Sequence, residues 1–332
     1  MTILSSELKA YYPATISDAA GNGGRISFNP ITSGALQNVF PHVFRAERVA
    51  GSTKRRKLFF RVANDADETL YAPSIRLHAP TVGQDRVYFH IGTQRDTQAD
   101  ITGSERKYGA ATLKTTVTAG GSTLVVTVED ASLTGLFASG DKIRITDKAT
   151  PTSSTGNEEE LIINGAPSVS GTDVTITTTT ALANGYAAGA HVSSLYYPPA
   201  DLACSVSNWA ESGAGTYNET LYPVVPDNIG TAEQTWTLTF TDATHFTVVG
   251  DLIGSVGSGT VGADFAPVNS AVAKPFFTLA AAGWGGTWAA GNTIVFQTHP
   301  PAIAIWETRV VPAGAASMAG NGCTSVFEGE TA

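Results

Sequence analysis

Charge is what this chain has least of. Only 15% of its 332 residues are Asp, Glu, Lys or Arg, against about 25% in an ordinary soluble domain. Long helices draw on Ala, Leu, Glu and Lys, so the shortage argues against a helical architecture. Methionine and cysteine number two each. Cys204 and Cys323 lie far apart, and neither belongs to a Cys-x-x-Cys or Cys/His pattern. That spacing points away from a zinc or redox motif and leaves two free thiols. No apolar run approaches the ~18 residues of a membrane span. The first residues lack the basic-then-apolar layout of a secretion signal. No membrane association is expected.

What the chain does have is glycine, 34 residues, and threonine, 43. Hydrophobic residues make up 42%, too many for a disordered chain. At roughly 100–200 residues per domain the length allows two or three. Together these features predict a soluble, strand-rich protein.

The net charge of −9 is unevenly distributed. Residues 1–148 carry 18 of the 20 Lys and Arg and a local net of +4; residues 149–332 carry Lys274, Arg309 and a net of −13. A nucleic-acid binder needs a basic domain overall, and this chain has none. Its basic residues do cluster, however. Arg45, Arg48, Lys54, Arg55, Arg56 and Lys57 precede the apolar Leu58-Phe59-Phe60. The cluster reads as a phosphate-contact patch, or as a solvated strand lead-in or a salt-bridged subunit contact.

Period-two alternation dominates the rest. Residues 5–12 are the exception: they suggest one or two helical turns capped by Ser5 or Ser6 and ended by Pro13. Leu58 to Val62 and Val87, Phe89 and Ile91 predict strands, with Asn64 to Asp67 a polar turn between. The block 1–108 reads as a β-sandwich. Residues 109–197 hold five or six short strands at ~8–12-residue spacing, the pattern of a small barrel or sandwich, placed as a surface insertion. In that stretch Glu158-Glu159-Glu160 looks solvated. Residues 198–332 form an acidic, aromatic, β-rich part. Trp236 and Trp306 alternate with polar residues and read as core. Trp284 and Trp288, set in a Gly-rich turn, are the candidate interface or ligand aromatics. Residues 251–265 read as a flexible loop or hairpin. The fold class expected is all-β: a sandwich or barrel core with an inserted or appended small β-domain and minimal helix.

Motifs for chemistry are sparse. Gly257 to Gly262 fits G-x-G-x-x-G, but Pro267 follows and no helix opens there, so a dinucleotide loop is excluded. The six histidines show no i,i+4 pair on a helix. A Ser/His/Asp triad can be assembled across any fold, and nothing in the sequence marks one. Asp65 with Asp67, and the three glutamates, lack the surroundings that separate carboxylate pKa values for catalysis. No enzyme activity, cofactor or metal is expected.

Three stretches resemble structural proteins of tailed bacteriophages. One is Asn38-Val39-Phe40-Pro41 with Arg45 to Gly51, Lys57 to Asn64 and Gly92-Thr93-Gln94. The second is Trp236 to Val249 with Phe265-Ala266-Pro267. The third runs from Gly283 to Pro300, then Ile305-Trp306-Glu307 and Val310 to Ala315. They look like parts of siphophage proteins encoded among tail genes, and 109–197 is the least specific segment. The resemblance implies a virion structural protein and, within that group, the tail tube. Such subunits stack as hexameric or pseudo-hexameric rings around a channel for DNA ejection, and some carry surface β-modules. The implied partners are further copies of the chain and the tape measure, terminator and baseplate proteins. DNA would pass through the lumen without specific binding. The implied location is the virion tail, assembled in the bacterial cytoplasm. An acidic lining would repel phosphate by like charge. The alternatives are a head–tail connector, a baseplate or capsid decoration protein, or a receptor- or glycan-binding module.

Overall fold

The computed structural model describes residues 2–332, with 45% of them in strands and 6% helical. The fold is all-β, built from antiparallel sheets.

The first sheet has five strands in the order Gly23–Pro30, Leu8–Thr15, Ser52–Val62, Ala302–Val311, Arg86–Ile91. Its central pair is also its most buried. Leu58, Phe60, Ile303 and Ile305 face one side, where they meet Val87, Phe89, Ile75 and Leu77. Ile75 and Leu77 belong to the Tyr71–Leu77 strand, which pairs with Ser325–Glu330 and forms the facing layer. Phe59, Ala302 and Ala304 face the other side and pack with Tyr11 and Ile26. A strand buried on both faces reads as a continuous apolar run, and Ala302 to Trp306 is such a run.

Residues 5–12 are not helical as expected. Ser5–Glu7 make one 3-10 turn, and Leu8–Thr15 is a strand. It pairs Leu8 with Val62 and Tyr11 with Phe59. The two tyrosines favour a strand, and pairing with a buried neighbour outweighs the local helix signal. Pro13 lies beyond the last pair to that neighbour, so its missing N–H breaks no bond of that ladder.

Seven strands between Ala110 and Ser194 form the second sheet, two or one more than expected. Leu124, Val126, Ile143, Ile145, Val174, Ile176 and Val192 supply its core. Ile163 bridges Thr178 across the curl, but the ladder stays open and no barrel closes. At its two ends Tyr108 bridges Phe89 and Tyr196 bridges Ile75. The Tyr108 and Tyr196 rings meet edge to face at 5.6 Å, so the segment leaves and re-enters the sandwich at one place.

A third sheet orders Ser205–Glu211, Thr293–His299, Gln234–Phe240, His245–Gly250 and Gly254–Thr260. Trp236, Leu238, Phe246, Val248, Ile294 and Phe296 are its buried face. Gly254–Thr260 pairs with His245–Gly250, so the Gly-rich 251–265 stretch contains a hairpin strand. Trp236 and Trp306 are both fully buried.

Candidate functional site

The basic stretch is largely consumed by internal pairing. Arg45 and Arg48 lie on the one short helix, Arg45–Ala50; Lys54 to Lys57 lie on Ser52–Val62. Lys54 meets Asp18 at 3.0 Å and Glu47 at 3.1 Å. Arg56 meets Asp18 at 2.7 Å. Lys57 is fully buried, 2.6 Å from Asp96, and also donates to the Gly24 and Asp96 carbonyls. Burial pushes its ammonium pKa down, against the pull of Asp96. Arg48 reaches the Ala315 carbonyl. Among the described residues, only Arg45 and Arg55 of the six carry no ion pair or side-chain hydrogen bond. A phosphate-binding surface needs unpaired cations facing solvent. This stretch instead ties strand to turn.

The glutamate run is open to solvent, with Glu160 exposed, yet all three side chains are engaged. Glu158 pairs with Lys148, and Glu160 takes Lys142 at 3.1 Å, Arg144 at 3.2 Å and the Tyr197 hydroxyl at 2.6 Å. Glu159 accepts from the amides of Ala183 and Asn184. Arg144 continues to Glu328 at 2.8 Å, joining the second sheet to the sandwich.

Trp288 is only 3% exposed and lies flat on Phe240, ring centroids 4.2 Å apart. Trp284 is half-buried and meets Tyr217 at 4.9 Å and Phe246 at 5.1 Å. Gly215 makes this possible, because a Cβ there would sit 2.0 Å from the Trp288 ring. The two indoles pack into the core of the third sheet, and the burial of Trp288 leaves it no open stacking face for a sugar.

Much of the acidic excess serves turns. Asp227 accepts from the amides of Ile229 and Gly230, Asp242 from those of Thr244 and His245, and Asp264 from that of Ala281. The Asp227 and Asp242 bonds stabilise local chain reversals, while the Asp264 bond ties residues 17 positions apart.

The contact between the first and third sheets holds the polar constellation that sequence reading missed. Arg61 is buried there, donating to the carbonyls of Asn228 and Thr231. Arg25 grips Asp251 with two hydrogen bonds of 2.7 and 2.5 Å, which hold the Asp251 pKa down at about 2. A cleft of about 430 Å³ opens beside this pair, lined by Gly23, Gly24, Arg95 and Thr97. Arg95 then donates to Glu233 at 2.8 Å, Glu233 meets His299 Nδ1 at 2.7 Å, and His299 Nε2 meets Ser207 Oγ at 2.8 Å. The partners lie 138, 66 and 92 positions apart, so no local motif announces them.

Three of the exposed apolar side chains lie on one long excursion. Between Pro30 and Ser52 the chain has only one helical turn and a half, and it presents Leu36 (85% exposed), Phe44 (62%) and Val49 (65%). Among the described residues no group of three or more His, Cys, Asp or Glu is placed to hold a metal. No helix is long and apolar enough to cross a membrane. No family model, no curated protein and no solved structure matches the chain.

Proposed function

We propose that this chain is a structural subunit of a tailed-phage virion, a tail tube protein that self-associates into stacked rings around a DNA channel. The observation that carries the self-association is the 31–51 excursion. Connections longer than about 12–15 residues without strands of their own are commonly functional. Contiguous exposed apolar surface marks contact sites on soluble proteins. Leu36, Phe44 and Val49 are all exposed within fourteen positions of this connection. The fold is of the kind such a subunit needs, a β-sandwich with a separate β-module on its surface. The choice of virion and tail rests on the resemblance of the three sequence stretches. The −13 segment would line the channel, where like charge keeps DNA from adhering.

The test is sedimentation of the purified chain beside a Leu36→Ser/Phe44→Ser double variant. Wild type should form large oligomers, and the variant should run as a folded monomer with an unchanged melting curve. Equal sedimentation of both would remove the excursion from the assembly contact. A single discrete ring from wild type would favour a connector, baseplate or decoration role over a tube.

A further inference from the structure

We propose that Ser207, His299 and Glu233 form an acyl-transfer site that hydrolyses small activated esters. The proposal is independent of the assembly reading, and it opposes the expectation of no enzyme activity. Three neighbouring strands of the third sheet supply the three side chains in a row. Ser205 is opposite His299 in register, and Ser207 lies two residues along on the same face. Gln234 is opposite Thr298, which brings Glu233 alongside His299. Such diagonal and direct neighbours lie within reach across antiparallel strands.

The hydrogen bonds define what each group does. Glu233 is 2% exposed, and its two oxygens are engaged separately, Oε1 by Arg95 Nε at 2.8 Å and Oε2 by His299 Nδ1 at 2.7 Å. A carboxylate held by a guanidinium only accepts, so Nδ1 carries the hydrogen. That tautomer leaves the Nε2 lone pair facing Ser207 Oγ at 2.8 Å. The order is nucleophile, base, buried orienter, the arrangement by which a serine is activated. Ser207 and His299 are both half-exposed, so the nucleophile is reachable from solvent. Immediately after Ser207 the ladder breaks. Ser207 pairs with Gln297 and Ala210 with Val295, and Asn208 takes a φ of +55°. Bulges of this kind re-aim side chains and recur beside active sites.

In the step proposed, Ser207 Oγ bonds to the ester carbonyl carbon while its proton passes to His299 Nε2. The tetrahedral adduct then expels the alcohol, which leaves with that proton. Water attacks the acyl-serine in the same manner, releasing the carboxylic acid and restoring the serine. Neither of the two principal clefts includes Ser207. Ser207 lies on the edge strand of the third sheet, and the class assigned is a small acyl ester with a good leaving group. Glu233 acts through His299 and is a positioning residue.

The experiment treats the full chain with diisopropyl fluorophosphate, which phosphorylates an activated serine with loss of fluoride, and reads intact mass and peptide map. One adduct should form, on Ser207, and p-nitrophenyl acetate should be hydrolysed above background. Ser207→Ala should abolish both with an unchanged melting curve. His299→Asn should slow labelling by roughly 100-fold or more. Glu233→Gln should slow labelling of Ser207 with an unchanged melting curve, and Glu233→Asp should restore part of the rate, a rescue that a merely structural role would not produce. No adduct beyond that of denatured protein, an adduct elsewhere, or labelling unaffected by both His299→Asn and Glu233→Gln would overturn the proposal.

Discussion

Trp306, fully buried, joins several parts of the first sheet. Its indole N–H donates to Asp96 at 2.9 Å, and Lys57 lies over its ring at 5.9 Å. Gly23, at a φ of +105°, lies so close that a Cβ would be 2.7 Å from the ring. Trp306→Ala should therefore cost about 3–5 kcal/mol, read as a fall in the urea midpoint at constant slope. That Trp306 and Trp236 are core was legible from period-two alternation. The burial of Lys57 and Arg61 was not, because a strand buried on both faces accommodates a cation only if distant carbonyls and carboxylates meet it. For the same reason the Trp288 indole was misjudged: the glycine context suggested a projecting turn, whereas Gly215 opens a slot that receives the ring.

Glu129 supplies a pH signature at the same scale. It accepts from Thr81 at 3.1 Å in a cleft of about 520 Å³, near Asp85. Burial first, and then the negative charge of Asp85, push its pKa from the ordinary 4.5 up to about 7. The folded state thus holds a proton that the unfolded state has released. Stability falls as pH rises through that window. Glu129→Gln removes the titration. Its stability relative to wild type should grow from pH 5 to pH 7 and level off by pH 8 in urea titrations. A difference independent of pH would contradict this account.

At the scale of elements, Ala302–Val311 governs how the chain closes. It lies between Ser52–Val62 and Arg86–Ile91, about 250 and 220 positions away in sequence. Alternation shows that such a strand exists, but it does not show its partners, since many strands share the pattern. The 109–197 segment was more legible, because every pairing of its seven-stranded sheet stays within the segment. Its core draws on residues 111–192, with Tyr88 packed against it from outside. Excised as 109–197, it should melt cooperatively and give dispersed amide resonances. The chain with 110–194 replaced by a short Gly-Ser linker should keep the rest of its fold, since Tyr108 and Tyr196 already touch. An unfolded excised segment would show that it depends on Tyr88 and the Arg144–Glu328 contact.

For the whole molecule, the low charged fraction and the +4/−13 division are the features that length and composition alone revealed. The structure refines both. The basic excess is mostly paired inward, and part of the acidic excess stabilises turns. The exposed apolar side chains include three on the 31–51 excursion, and the acidic balance of residues 149–332 comes from their shortage of Lys and Arg. The cross-sheet polar groups, Arg25 with Asp251 and the Arg95-to-Ser207 chain, were illegible because each partner is ordinary in its own sequence context and meaningful only after folding.

The central claim is that this chain builds a ring-stacked tube. Electron microscopy of the purified full-length protein at high concentration tests it most directly. The account predicts stacked rings of six-fold or pseudo-six-fold symmetry with an acidic lumen formed from residues 149–332. Dispersed monomers at every concentration, or rings whose lumen is neutral or basic, would contradict it.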